Sequence, residues 1–341
     1  MADKRITLAD VAERAGLSVS AASLVLNDRP GTRISPAARE RVRAAAQELG
    51  YRPNLAARTL ITSRSATIGV VSDSVTTRPW ASDLILGALR EAHSRAHILH
   101  IAETGTEIAT ATEALDSLLD RSVDGIIFAT SRARELELPD RAIPVPFVML
   151  NATSAAGDAS VLPDEFEAGR GIARALAEAG IRERIVVLGR DIGAPHDWVD
   201  TLTVSRRTAG IAQTVDEYDM QLSVQLPLSA WEPEPGYEAI SELIDGGETF
   251  DAIIAMNDRL AFGAYQAMLE RGLRVGKDVS VVSFDDDEFA QFVRPGLTTA
   301  ALPYETMGRL AAELILTGAT QPQEHLIPMP IKYRGSIREL G

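Results

Sequence analysis

At 341 residues the chain is too long for one small domain and comfortable for two or three, and 45% hydrophobic residues supply ample material for a core. The absence of cysteine excludes a disulfide framework and a thiolate metal site, and His93, His97, His100, His196 and His325 lack the paired spacing of a metal centre. The net charge of −14 divides unevenly, residues 1–64 holding 11 Lys+Arg against 6 Asp+Glu and the rest 23 against 42.

The polar start Met1-Ala2-Asp3-Lys4-Arg5 has no signal-peptide apolar region, and no run of transmembrane length follows, so a cytoplasmic protein is expected. Thr7, with Asp10 three residues on, reads as the capping box of a short helix burying Val11, Ala12 and Ala15. Gly16-Leu17-Ser18 makes a tight turn, and Ser18 caps a second helix through Ala21, Ala22, Val25 and Leu26. Two short helices joined in this way form a helix-turn-helix. A third helix has Ser35 at its N-cap, Pro36 at its first position, Val42, Ala45, Ala46 and Leu49 inward, and Gly50 past its end. A plain three-helix bundle would fit this much. The basic balance of this end favours a module that touches phosphates while an acidic body stays clear of them.

The string TLADVAERAGLSVSAASLVLN, followed by RERVRAAAQELGYRPNLAARTL, resembles the headpiece and hinge of the LacI/GalR family of bacterial transcription regulators. The likeness continues to the C-terminus and so covers nearly the whole chain. It implies that Val19, Ser20 and Leu24 occupy base-reading positions, with Ser18, Ala21 and Ser23 facing the backbone or nearby bases. Leu24 stands where many relatives carry arginine, which removes a bidentate contact with guanine; Val19 and Leu24 can instead pack on thymine methyl groups. Leu24 as a core residue is the plain alternative. Asn27 is expected to reach a phosphate, and Arg29 and Arg33 lie in a loop able to contact DNA.

In the hinge, Asn54 can cap a short helix after Pro53, and Ala56 and Ala57 keep it slim. Seven residues are marginal as an isolated helix, so the segment should order only when a partner and DNA complete it. In the family two such helices lie in the minor groove and a leucine from each wedges into the central base step; Leu60 matches that leucine. Leu55, Ala57 and Arg58 complete the expected DNA-contacting set with Thr7.

After residues 61–65, which read as a linker, apolar runs at 68–72, 98–102, 125–129, 146–150, 185–189, 223–226, 252–256 and 279–284 alternate with helical stretches at 83–92, 109–120, 165–179, 236–244, 261–270 and 304–316. Such alternation gives parallel sheets covered on both faces, and the series is too long for one. The expected fold is an all-α helix-turn-helix headpiece plus an α/β core of two doubly wound parallel-sheet subdomains, which the resemblance makes periplasmic-binding-protein-like. The expected domains are 1–50 (headpiece), 51–65 (hinge and linker) and 66–341 (effector-binding and dimerisation). The core divides into an N-lobe of about 66–162 and 295–324 and a C-lobe of about 163–294 and 325–341. The resemblance implies crossovers near 162–164, Arg294 and His325, and a last strand is expected at 327–332.

Ligands of open parallel sheets sit beyond the carboxyl ends of the strands, here between the lobes. Carboxylates, amides, an arginine and aromatic faces suit a polyhydroxylated ligand. By resemblance Arg207, in SRRTAG, holds ligand hydroxyls, Trp231 lies against a sugar ring and Asn151 adds a polar contact. Asn257, in AMNDRLAFGA, and Asp285, in VSVVSFDDD, end strands. Asp73, Trp80, Asp83 and Tyr304 complete the candidate set. Each has a plainer reading as a cap, a strand end or a packing residue. Gly272–Lys277 has the wrong spacing for a phosphate loop, and Asp278 stands where a hydroxyl is needed for magnesium. Three consecutive acids, Asp285-Asp286-Asp287, point in different directions and have no His or Lys in a matching motif, which argues against an enzyme.

The resulting expectation is a ligand-responsive, sequence-specific DNA-binding transcriptional repressor controlled by a sugar or related molecule, without cofactor or metal. A soluble sugar-binding or sugar-modifying protein without a DNA role is the competing reading. The expected partners are a pseudo-palindromic duplex operator, a carbohydrate effector and a second copy of the chain. No heptad segment trails the core to tie dimers into tetramers. Bound to its operator, the protein would be nucleoid-associated.

Overall fold

The structure is a computed structural model describing residues 6–26, 33–51, 64–77, 81–105, 108–136, 138, 143–190 and 202–338. It divides into two compact units, Met1–Ser65 and Ala66–Gly341.

The first unit contains helices α1 (Leu8–Ala15), α2 (Val19–Leu26) and α3 (Pro36–Glu48). Thr7 and Asp10 form the reciprocal capping box, and Gly16 turns the chain at φ 65°. Ser18 Oγ accepts from the Ala21 N–H at 3.2 Å, and Ser35 Oγ from Ala38 at 3.3 Å. Val11, Ala12, Ala15, Ala22, Val25, Val42 and Ala45 form the core. Such small side chains let three short helices approach closely. Arg14 pairs with Glu48, and Arg41 Nε donates to the Ala15 carbonyl at 3.2 Å, so α1 and α3 are joined at both chemistry and packing.

The second unit holds two six-stranded sheets. One contains β1 (Thr67–Ser72), β2 (Ile98–Glu103), β3 (Gly125–Leu136), β4 (Phe147–Ser154), β5 (Ser160–Pro163) and β11 (Glu324–Ile327), in the order β11-β5-β4-β3-β1-β2. The other contains β6 (Ile185–Gly189), β7 (Leu222–Pro227), β8 (Ala252–Ala255), β9 (Ser280–Asp285), β10 (Thr298–Ala301) and β12 (Ile331–Lys332), in the order β12-β10-β9-β8-β6-β7. All pairings are parallel except β10 with β12. Helices α4 (Ser82–Ser94), α5 (Ile108–Asp120) and α10 (Tyr304–Thr317) cover the first sheet; α6 (Glu165–Glu178), α7 (Leu202–Glu217), α8 (Pro233–Asp245) and α9 (Asp258–Glu270) cover the second. The central strands are buried on both faces, as continuous runs such as Ile185–Gly189 require.

The chain crosses between sheets after β5, after β10 and after β11. The second crossing lies at Leu302-Pro303, not at Arg294, because Thr298–Ala301 pairs with β9 and so stays in the second sheet. The strand expected at 327–332 is two strands in different sheets. Pro328 and Pro330 cannot donate to a ladder, so the chain breaks there and changes lobe. β3 runs seven residues past its expected end, with a register shift between Ala129 and Arg134. That irregularity carries Ser131, Arg132 and Ala133 to the cleft.

Candidate functional site

A cleft of about 650 Å³ opens beyond the carboxyl ends of both sheets. Asp83, Ser131, Arg132 and Asn151 line it from the first lobe, Glu165, Arg207, Trp231, Asn257, Arg259 and Asp285–Glu288 from the second, and Tyr304 from the second crossing. Three residues of the lining hold a positive φ: Asn151, Asp285 and Asp286, at 57°, 109° and 58°. Such conformations cost about 1–3 kcal/mol each and persist where the surroundings over-determine them.

Arg207 is buried on α7 and its fork is closed by Glu165, Nε to Oε2 at 2.7 Å and Nη2 to Oε1 at 2.8 Å. Nη1 donates to the Met256 carbonyl, Asp285 Oδ1 lies 3.6 Å from Nη2, and the guanidinium stacks over Phe284 at 4.2 Å. Burial works against this charge, but Glu165 and Asp285 overcome it and raise the Arg207 pKa. Burial pushes Asp285 up to about 7; Arg207 opposes the shift, while Asp287 and Glu165 add to it. Asp258 is held well above the ordinary carboxylate range by burial and then by Asp285, despite hydrogen bonds from Thr299 Oγ1 and the Asp287 N–H, both at 2.8 Å. The Tyr304 phenol is raised by burial, then by Asp285 and Glu165, so it stays a hydrogen-bond donor.

Asn257 Oδ1 caps α9 at the Leu260 N–H, 2.9 Å, while Nδ2 donates to the Trp231 carbonyl at 3.1 Å. Trp231 Nε1 donates to the Gly189 carbonyl at 3.0 Å, which fixes the indole at the end of β6. Asn257 thus caps a helix and lines the cleft at once. The three consecutive acids do diverge: Asp285 faces Arg207, Asp286 accepts from Arg334 at 2.6 Å, and the Asp287 backbone reaches Asp258.

On the first lobe Asn151 and Thr130 exchange hydrogen bonds across β3 and β4, at 3.0 and 2.6 Å. Asp83 is exposed in the first turn of α4. Asp73 requires a correction, because it is absent from the cleft lining. It is buried and accepts from the Ser131 N–H at 2.9 Å, Arg134 Nη2 at 3.1 Å and Ser74 Oγ at 3.3 Å. Its carboxylate ties the end of β1 to the irregular part of β3. Trp80 lies outside the described residues. Sequence reasoning missed Glu165, Ser131, Arg132, Arg259 and Glu288; Glu165 gives no local signal, because an acid in the first turn of a helix reads as a dipole partner.

In the first unit, Val19, Ser20, Ser23 and Leu24 share a face of α2 opposite the buried Ala22 and Val25. Val19 is 48% exposed, and Leu24 is half-buried and outside the core cluster, so its side chain is not spent on packing there. Ala21 is half-buried, while Ser18, Thr7 and Arg33 are exposed. Ser18 and Thr7 also hold helix caps. Asn27, Asn54, Leu55, Ala57, Arg58 and Leu60 lie outside the described residues.

A helix-turn-helix unit followed by a two-lobed α/β unit with a polar interlobe cleft defines a DNA-binding regulator under small-molecule control. Residues 7–54 match the model of bacterial regulatory proteins of the lacI family, and residues 171–337 match the periplasmic binding protein-like domain. The HTH-type transcriptional repressor PurR of Erwinia tasmaniensis is 30% identical over 329 residues, covering 93% of this chain and 92% of that protein. The ribose operon repressor of Escherichia coli K12 is 28% identical over 333 residues, covering 95% and 97%. A crystal structure of the lac repressor dimer bound to operator and the anti-inducer ONPF shares the fold, with a TM-score of 0.81 at 24% identity over 98% of this chain and all of that one. A LacI family regulator from Enterococcus faecium with bound ribose has a TM-score of 0.63 at 26% identity, over 81% of this chain and all of that one. The chain belongs to the LacI family of bacterial transcription regulators, whose members are DNA-binding repressors and not enzymes. No helix among the described residues is long and apolar enough to cross a membrane.

Proposed function

We propose that the protein represses transcription from a pseudo-palindromic operator as a homodimer, and that an uncharged polyhydroxylated molecule, a sugar, controls it from the interlobe cleft. The observation that carries the effector class is the closed fork of Arg207. Its charge is neutralised by Glu165, and the other cleft arginine with a described partner, Arg259, is paired to Glu232 at 2.7 Å. Among the described residues of the cleft lining, an anionic ligand would meet Asp83, Asp285, Asp287 and Glu288 with no spare buried cation, Arg132 being exposed; a neutral polyol meets acceptors and an aromatic wall. The ribose named for two of the relatives agrees with this chemistry.

Arg207, Asp285, Asn257, Asn151, Tyr304, Trp231 and Asp83 would hold the ligand; Val19, Ser20 and Leu24 would read bases from α2. Asn54 to Leu60 would order as the hinge over a central base step, with Leu60 as the wedge. Two-fold symmetry follows because one such helix does not fill the groove. The exposed apolar pair Leu269 and Phe292 is consistent with a further protein contact. Acting on the chromosome places the protein in the cytoplasm, nucleoid-associated when bound.

A thermal-shift panel of neutral sugars, sugar phosphates, uronic acids and purines, followed by mobility shift on a duplex selected by the full-length protein, tests the reading. The expected result is that a neutral sugar raises the melting temperature and alters affinity for the selected duplex. Stabilisation by an anionic sugar or a purine alone overturns the effector class.

A further inference from the structure

The core unit begins at Ala66, directly after the linker that follows the hinge. Ala66 has φ 55°, a left-handed conformation that a residue with a Cβ holds only under constraint. Its N–H donates to Asp124 Oδ2 at 3.0 Å, and its carbonyl accepts from the Ile98 N–H at 3.0 Å. The Asp124 N–H in turn donates to the Thr67 carbonyl at 2.8 Å, so one residue holds the chain from both sides of the start of β1. His97 closes the arrangement: Nε2 lies 3.3 Å from the same Asp124 oxygen, and Nδ1 is 2.7 Å from the Arg95 carbonyl. Both side chains are largely covered, at 16% and 13% exposure, so solvent does little to screen them.

This cluster sits at the amino ends of β1 and β3, the opposite end of the sheet from the effector cleft. The strands β1 and β3 run paired from it to the cleft side, the pairing ending beside Asp73 and Ser131, which are themselves hydrogen-bonded to each other. The strand pair thus has the chain entry at one end and Ser131, which lines the cleft, at the other.

We propose that Asp124, backed by His97, is a positioning residue that fixes the direction in which the chain enters the core at Ala66, and so sets how effectively the hinge presents the headpiece to operator DNA. The side chain touches neither DNA nor ligand; it acts through the Ala66 amide. Removing it frees a strained residue to relax, and the linker loses its fixed origin. Specific binding, which needs two hinges placed over one base step, suffers. Non-specific binding, which needs only phosphate contacts from the headpiece, does not.

The operator arm rests on the DNA-binding reading above; the hydrogen-exchange arm does not. The full-length protein, Asp124→Ala, Asp124→Asn and His97→Ala are compared for amide exchange at Ala66, for thermal unfolding, and for affinity towards a duplex selected by the parent and a random duplex at fixed salt. Asp124→Ala is expected to speed Ala66 exchange by about tenfold or more and to weaken the selected duplex about tenfold, with random-duplex affinity within about twofold of the parent. Asp124→Asn, whose Oδ1 still accepts from Ala66, is expected to restore most of both. If Asp124→Ala does not fold, His97→Ala carries the test, with a several-fold loss confined to the selected duplex. Equal losses on both duplexes, an Asn variant as defective as Ala, or unchanged selected-duplex affinity beside faster Ala66 exchange each overturn the proposal. A parent that selects no duplex defeats the DNA-binding reading, and Ala66 exchange in Asp124→Ala then decides the clamp alone, an unchanged rate overturning it.

Discussion

At the level of single residues, the Arg207–Glu165 pair organises the cleft. Removing one partner of a buried ion pair strands the other's charge, whereas replacing both with apolar residues of similar volume is often neutral. Arg207→Met is therefore expected to destabilise the protein by about 3–5 kcal/mol in urea unfolding, and Arg207→Met with Glu165→Leu to recover most of that loss. Both variants should lose the effector response. A double variant no better than the single one would show that the pair is not the source of the cost. Asp285 has a pH signature. Its folded pKa of about 7 exceeds the unfolded 3.8, so the unfolded chain releases this proton first. The contribution of Asp285 to stability is thus full below about pH 4, falls as pH rises towards 7 and stays lowered above it. Asp285→Asn should raise the melting temperature at pH 8 relative to the parent, with the gap shrinking towards pH 4; a pH-independent offset would contradict this. Arg207 was legible through resemblance, but Glu165 was not. An acid in the first turn of a helix reads as dipole compensation, and nothing local reveals that it faces an arginine 42 residues away.

Among the elements, α7 carries Arg207 and was not legible. Its sequence LTVSRRTAGIAQTVDE mixes β-branched and polar residues, so neither propensity nor periodicity stands out. The strands Ser160–Pro163, Thr298–Ala301 and Glu324–Ile327 were missed for a related reason: four residues give too few alternations to register, and Thr298, Thr299 and Ser160 are polar yet buried. The helices with clear apolar stripes and caps, such as Glu165–Glu178 and Tyr304–Thr317, were legible to within a residue or so. What seats α7 is a close approach to α6. A Cβ on Gly169 would lie 2.2 Å from the Arg207 carbonyl oxygen, and one on Gly210 would lie 2.0 Å from that of Phe166. Both obstacles are backbone, so a side chain here must push the helices apart. Gly169→Ala is expected to cost about 1–3 kcal/mol through overpacking. It should also weaken effector binding by displacing the arginine fork. Calorimetry with the sugar identified by thermal shift would read the second effect; unchanged affinity in a destabilised variant would mean that α7 does not set the position of Arg207.

Across the whole molecule, the two units divide labour by charge. The basic end attracts any duplex, and the acidic body repels it, so affinity for random DNA should rest on phosphate contacts alone and fall steeply with salt. On the proposed reading, specificity comes from the few apolar and hydroxyl side chains on α2 and from deformation of the duplex. Val19, Ser20 and Leu24 offer methyl contacts and one hydroxyl, a weak direct readout. With a weak direct code the proposed hinge would matter more, because wedging at a flexible base step adds sequence dependence without hydrogen bonds to bases. Leu60→Ala is accordingly expected to weaken the selected operator by about tenfold or more, which is about 1.4 kcal/mol or more, because contacts with the bent duplex outweigh the few kcal/mol of unstacking that the wedge costs. Random-duplex affinity and its salt slope should stay unchanged. Titrating both duplexes over a salt series separates the terms: a selective loss at every salt concentration marks the wedge, whereas parallel loss on both duplexes would assign Leu60 to ordinary headpiece stability.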